Sequence, residues 1–241
     1  MHALSGELQL LKPDIIACQE CFVSEEGNAD TLKFLAEELG MNCLFANGRS
    51  KKRNLEGQWV DSMSGLGVLS VYPVTAVSTF SLPASIDDND RKAQQVAITL
   101  SPGNDLLLTN IHLTHLNDRA LRNEQAGLVA DRTIAFNNYN YKIICGDFNA
   151  EVGSGEVISF INRCNAMDCY SAGKGVEPRY SLSDQFKQGK KLCVDHIFAL
   201  PFPGTNTYPQ FINSAIVLNE PGKNDVYPSD HFGITATLVI N

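Results

Sequence analysis

The sequence predicts a single α/β domain, on three observations. Apolar runs of strand length alternate with amphipathic helical segments, Pro and Gly punctuate the runs, and no low-complexity linker or charge block divides residues 1–241. Met1 to Leu11 places Leu4, Leu8 and Leu11 at helical spacing until Lys12-Pro13-Asp14 breaks it. Asp14 to Glu20 reads as a buried strand. Asp30 to Leu39 reads as a helix with Leu32, Leu35 and Leu39 inward, stopped at Gly40 in the manner of a C-cap. Gly48 to Gly65 is polar, charged and rich in turn formers, which predicts a surface loop. Short strands follow at 66–70, 75–80, 94–100 and 106–112. A helix over 118–136, a strand over 141–147 and a helix over 154–163 come next. Strands return at 192–200, 215–218 and 232–240.

With 44% hydrophobic residues the chain can fill one large core. No stretch approaches the roughly 20 apolar residues of a membrane span, and Met1 to Glu7 has no basic region ahead of an apolar one. A monomer in the cytoplasm is the expectation. The cysteines number seven, scattered through apolar segments, which suits buried thiols in a reducing compartment. Cys18 and Cys21 form a C-x-x-C, but residues three apart in a strand point to opposite faces, so no site is expected there. The formal charge of −8 opposes a long nucleic-acid footprint, although Arg49, Lys51, Lys52 and Arg53 form a local basic patch.

The chemistry is carried by what ends the apolar runs. Ile15-Ile16-Ala17-Cys18 ends in Gln19-Glu20, and Leu106-Leu107-Leu108 continues into Thr109-Asn110-Ile111-His112. Ile143-Ile144-Cys145 ends in Gly146-Asp147-Phe148-Asn149, Leu192-Cys193-Val194 meets Asp195-His196, and Ser229-Asp230-His231 precedes Phe232-Gly233-Ile234. A carboxylate beside a buried strand is costly unless paired, hydrogen-bonded or metal-bound. Five such punctuations point to one shared rim. In Asp147-Phe148-Asn149 the extended alternation puts both polar side chains on one face. Glu20, Asp147, Asp195, Asp230 and Asn149 are hard oxygen donors, suited to Mg2+, Mn2+ or Ca2+ rather than zinc. His112 and His231 can move protons or stabilise charge near neutral pH.

Pro13-Asp14-Ile15-Ile16-Ala17-Cys18-Gln19-Glu20, Asn110-Ile111-His112-Leu113, Gly146-Asp147-Phe148-Asn149, Val194-Asp195-His196-Ile197 and Ser229-Asp230-His231 resemble, in this order, the motifs of the endonuclease/exonuclease/phosphatase superfamily. The resemblance implies a four-layer α-β-β-α sandwich of two mixed sheets over residues 1–241, and phosphate-ester hydrolysis with Mg2+ or Mn2+. By position, Glu20 resembles the metal carboxylate and His231 the base that activates water, oriented by Asp195. Asp147 and Asn149 would position the nucleophile and phosphoryl group, and His112 would stabilise a non-bridging oxygen. Asp230 would assist at the metal or the phosphate. Arg122 and Gln125 match an R-x-x-Q read as scaffolding.

Members normally begin with a strand ending in an Asn that supports the metal, whereas this chain starts inside the following helix. That strand is expected to be missing, with weak metal binding as a result and any export signal lost with it. The His112 motif favours the deoxyribonuclease I, sphingomyelinase and phosphatase branches over abasic-site repair. The expected substrate is a small-molecule or lipid-like phosphate ester. The alternatives are a nuclease acting on DNA or RNA, and a non-catalytic module that binds a phosphoryl ligand.

Overall fold

The computed structural model describes residues 2–27, 29–55, 57–182, 191–222 and 226–240. Its core is a six-stranded sheet of order β4-β5-β6-β7-β9-β8, from β4 (Val74–Ser81), β5 (Lys92–Ser101), β6 (Asn104–His112), β7 (Tyr141–Asp147), β8 (Met167–Asp168) and β9 (Asp195–Ala199). Only β6 and β7 run parallel, joined by helix α3 (Arg119–Ile134); the other neighbours are antiparallel. Facing this sheet are a three-stranded sheet of order β1-β3-β2 and a two-stranded ribbon. The first is built from β1 (Ile15–Ser24), β2 (Asn42–Leu55) and β3 (Gln58–Ser70), the second from β10 (Phe211–Val217) and β11 (Gly233–Leu238).

Apolar alternation explains the layering. Val68, Ile15, Ala17 and Leu44 of the three-stranded sheet, with Phe211, Ala236 and Leu238 of the ribbon, pack on Val96, Ile98, Leu106, Leu108, Ile143 and Cys145. The opposite face of the six-stranded sheet packs Ile111, Ile144 and Phe198 against α3 and α4 (Gly155–Cys164), through Ala126, Val129, Val157 and Phe160. On the far side, Cys21 and Leu69 are covered by Leu8 of α1 (His2–Leu11) and Leu32, Leu35 and Ala36 of α2 (Thr31–Leu39). The result is the α-β-β-α sandwich. A short helix, α5 (Cys169–Ala172), completes the elements. Among the described residues β3 is the one strand that pairs with β1, which adds a single bridge from Val23 to Asp30, and β11 pairs with β10.

Two expectations are corrected. Residues 48–65 are not a loop: β2 and β3 continue as a hairpin from Asn42↔Ser70 out to Leu55↔Gln58. Its outer half is polar on both faces, so the two-residue apolar period is lost there, and the ladder is held by cross-strand pairs such as Lys52–Asp61 and by Arg53 over the Phe22 ring. Trp59, in this hairpin, is exposed. Second, Cys18 and Cys21 do not face opposite ways. The register of β1 on β3 shifts between them, and both pack in the cluster under α1 and α2. The elements β8 and α5 were too short for their periods to show.

Candidate active site

Three neighbouring strands supply one row of the site. His112 of β6 is the register partner of Asp147 of β7, which is the partner of Asp195 of β9. Cross-strand partners point to the same face, here the inner face, toward the β1-β3-β2 sheet. His112 Nε2 lies 3.3 Å from Asp147 Oδ2. His231, just before β11, closes the group with Nδ1 2.8 Å from Asp195 Oδ2. One ligand atom each from Asp147, Asp195 and His231 fall within 4.8 Å of one another.

The turn after β7 depends on two backbone features. Gly146 has φ +132 and approaches β6 so closely that a Cβ would meet Ile111 O at 2.1 Å, so only glycine fits. Asn149 is left-handed at φ 48. The strand has ended at Asp147, so Asp147 and Asn149 do not share a face by extended alternation as the sequence suggested. They meet because the chain folds back: Asn149 N donates to Asp147 Oδ1 (2.7 Å) and its Nδ2 lies 3.3 Å from Oδ2. Asn149 Nδ2 also donates to Leu113 O at 3.0 Å. Phe148, between them, is buried against Phe160, His196 and Phe198.

The charges are set by burial and by one another. Burial, then the Asp195 carboxylate, pushes Asp147 up to about 7. Burial works against charging His231, but the Asp195 hydrogen bond and the carboxylates of Asp195, Asp147 and Asp230 outweigh it and push it up to about 9. Burial, reinforced by Arg91, pushes His112 well below the usual imidazole range. His112 is therefore neutral at pH 7 and His231 is charged, so the two imidazoles differ in what they can do.

Glu20 reaches the site from the opposite sheet. It is the extra residue of the β1 bulge, left-handed at φ 55, and bulges commonly re-aim a side chain beside an active site. It lines a pocket with His112, Arg49, Arg91 and Lys92. Arg49 Nη2 and Lys51 Nζ approach its carboxylate at 3.9 and 3.8 Å. Asp230 stands apart: it is exposed, and its Oδ1 accepts from Ser229 Oγ. The structure thus brings His112, Asp147, Asn149, Asp195 and His231 into one network, puts Glu20 in a pocket with His112, and leaves Asp230 at the margin beside His231.

Two positioning residues escaped the sequence reading. Asn110, fully buried on β6, donates to Cys18 O and Gly67 O (both 3.0 Å) and accepts from Gln19 Nε2 (2.8 Å). It ties the six-stranded sheet to the bulge that carries Glu20. Ser181 is equally buried; its Oγ accepts from Val194 N and Asp195 N, while its carbonyl accepts from Phe232 N. It thereby couples Asp195 to the segment bearing His231. Arg122 and Gln125 brace the rim: Gln125 bridges Thr114 N and Pro83 O, and Arg122 bonds Leu116 O and Glu156.

With this geometry in view, the comparisons decide the lineage. The sequence profile of the Endonuclease/Exonuclease/phosphatase family matches residues 1–231. The chain belongs to this family. Among curated protein sequences none matches it. Solved structures do. A family protein from Leptotrichia buccalis superposes with TM-score 0.73 at 20% identity, over 98% of this chain and 91% of that one. A humanized D. rerio TDP2 gives 0.72 at 21%, over 99% and 91%. A Bacteroides thetaiotaomicron mannosyl-6-phosphatase gives 0.72 at 19%, over 99% and 90%. Family membership makes the chain a phosphoester hydrolase of a generally divalent-metal-dependent kind. No described helix is long and apolar enough to cross a membrane.

Proposed function

We propose that the chain hydrolyses a small-molecule or lipid-like phosphate ester with Mg2+ or Mn2+, and that His231, oriented by Asp195, takes the proton from the attacking water. The observation that carries this reading is the Asp195–His231 contact at 2.8 Å beside Asp147 and Asn149. With Nδ1 engaged by the carboxylate, the neutral imidazole carries its hydrogen there and leaves Nε2 free to accept. Asp147 and Asn149, locked to each other, would position the water and the phosphoryl group. Neutral His112, beside Asp147, would turn its single N–H to a non-bridging oxygen.

The donor set fits a hard cation: carboxylate oxygens dominate and no thiol competes at the rim. Glu20 would hold it, with Asp230 assisting, so that Asp147, Asp195 and His231 stay free for the proton chemistry. A bound divalent cation would supply charge that offsets the phosphate and lowers the proton affinity of His231. Arg49 and Lys51, now beside Glu20, would turn to the substrate anion when the cation takes the carboxylate.

A nuclease is the second reading. It is favoured by Arg49, Lys51 and Arg53, which recur at every second residue of β2 on the site side of the hairpin, and by the likeness to TDP2, solved elsewhere with a single-strand DNA product. The test is hydrolysis of bis-p-nitrophenyl phosphate, p-nitrophenyl phosphate and plasmid DNA with Mg2+ or Mn2+. His231→Gln and Asp195→Asn are expected to lose at least about 100-fold in kcat. Hydrolysis that EDTA leaves unchanged would refute the metal role, and plasmid cleavage without action on the small esters would favour the nuclease.

A further inference from the structure

The bulge that presents Glu20 also brings two thiols together. Cys18 is the register partner of Gly67 and Cys21 of Gly65. Those glycines are two residues apart, so their partners share one face, with Cα positions about 6.8 Å apart, two antiparallel residue rises. Three residues of β1 cover the length of two. Both side chains accordingly enter the same cluster, with Leu32, Leu35 and Leu69. A Cβ on Gly67 would lie 3.0 Å from Cys21 Sγ, so the missing side chain there is what makes room for the sulfur. The neighbouring Cys18 thiol, with burial, raises Cys21. Cys18 is half-buried and Cys21 almost fully buried. Between them lie Gln19, held by Asn110, and Glu20 at φ 55.

We propose that Cys18 and Cys21 are a modification site: they close a reversible intrachain disulfide across the bulge and, by moving Glu20, switch off the hydrolase. The switching part rests on the function proposed above; the disulfide does not. The spacing stands at the upper end of the Cα separations that disulfides adopt, whose commonest values are about 5.5–6 Å. Closure therefore draws the two ends of the bulge together by about 1 Å, and the residues in between, Gln19 and Glu20, must absorb the change. The oxidant is a small-molecule disulfide. The thiolate of the more accessible Cys18 attacks one of its sulfurs and releases the first thiol, forming a mixed disulfide. The Cys21 thiolate then attacks Cys18 Sγ and releases the second. In sum two protein thiols lose two protons and two electrons, and one disulfide becomes two thiols.

The test uses the full chain incubated with excess oxidised glutathione, then alkylated and digested. The peptide carrying Cys18 and Cys21 is expected to be unalkylated and two hydrogens lighter than its reduced form, while the buried Cys145, Cys164 and Cys169 stay alkylatable after denaturation. Oxidation should weaken Mg2+ binding, followed by calorimetry, by about tenfold or more, with a matching loss of bis-p-nitrophenyl phosphate hydrolysis that dithiothreitol restores. Cys18→Ser is expected to keep the basal rate and lose the response; Cys21→Ala serves if that variant does not fold. Free thiols at both positions after oxidation would overturn the proposal, as would a disulfide that leaves Mg2+ affinity unchanged. A reduced protein inactive on every ester would instead sink the functional reading, and the peptide mass and calorimetry would still decide this one.

Discussion

Replacing Asn110 by leucine, similar in size but without polar atoms, removes three hydrogen bonds at the junction of the two sheets. Its Nδ2 satisfies Cys18 O and Gly67 O, and its Oδ1 satisfies Gln19 Nε2, all at 2.8–3.0 Å and in a fully buried position. A net hydrogen bond is worth about 1 kcal/mol, and a buried partner left unsatisfied costs about 1–3 kcal/mol. The two carbonyls keep β-ladder neighbours nearby and Gln19 can swing toward solvent, so the sum falls near the lower bound, about 3–4 kcal/mol. That is a large part of the roughly 5–15 kcal/mol available to a domain. Urea unfolding at pH 7 should therefore show a lower midpoint at unchanged slope. Glu20 loses its support at the same time, so the Mg2+ concentration giving half-maximal hydrolysis should rise by about 10–100-fold. Gln19→Leu combined with Asn110→Leu should cost clearly less than the sum of the singles, because they share one bond. A loss below about 1 kcal/mol with unchanged Mg2+ dependence would show that the junction does not position Glu20.

Other outcomes can be measured alongside. His196 is buried with its Nδ1 unpartnered among the described residues and its Nε2 on Ala150 O, and burial lowers its proton affinity. The unfolded chain, with imidazoles near 6.5, then binds more protons than the folded one, so stability falls as pH drops below about 6.5. His196→Phe should flatten the decline in melting temperature between about pH 7 and 5; an unchanged decline would refute the assignment. Arg122→Met leaves the buried Glu156 carboxylate with only the exposed Arg119, 3.8 Å away, as ion partner among the described residues, and is expected to cost about 1–3 kcal/mol by urea unfolding, an effect that Glu156→Gln in the same chain should partly relieve. Gly146→Ala forces a Cβ against Ile111 O and should abolish soluble folded protein or lower its melting temperature by more than about 10 °C, read by circular dichroism.

Much of the candidate site was legible because its carboxylates interrupt apolar strands, where an unexplained charge is conspicuous. Asp147, Asp195 and Glu20 stood out for that reason. Asn110, though part of a motif, and Ser181 were given no role, since a neutral amide on a strand or a hydroxyl in a loop costs nothing visible in the sequence; their roles depend on carbonyls and amides supplied by distant segments. The β2–β3 hairpin was hidden for a related reason. Its outer half is held by backbone pairing and a few side-chain contacts rather than by a buried apolar face, so no period survives there to be read. The cysteine pair was misjudged because regular alternation was assumed where the register skips a residue. The same skip aims Glu20 into its pocket, so the rule failed beside the residue proposed to hold the metal.

Among the described residues the layer facing the six-stranded sheet comes as two pieces, and the candidate site straddles them. Glu20 rides on β1 and His231 leads into β11, yet among the described residues the strand ladder of β1 runs only along β3 and that of β11 only along β10. No ladder runs between them among the described residues, so their separation is governed by side chains resting on the sheet beneath and by the Asn110 and Ser181 tethers. Packing of that kind is softer than a row of amide bonds. In this chain, hydrogen exchange is expected to find the outer amides of β1 and β11 less protected than those of β3 and β7. A phosphate ester bridging the two halves would act as the missing strut, slowing that exchange and drawing the site to its working width.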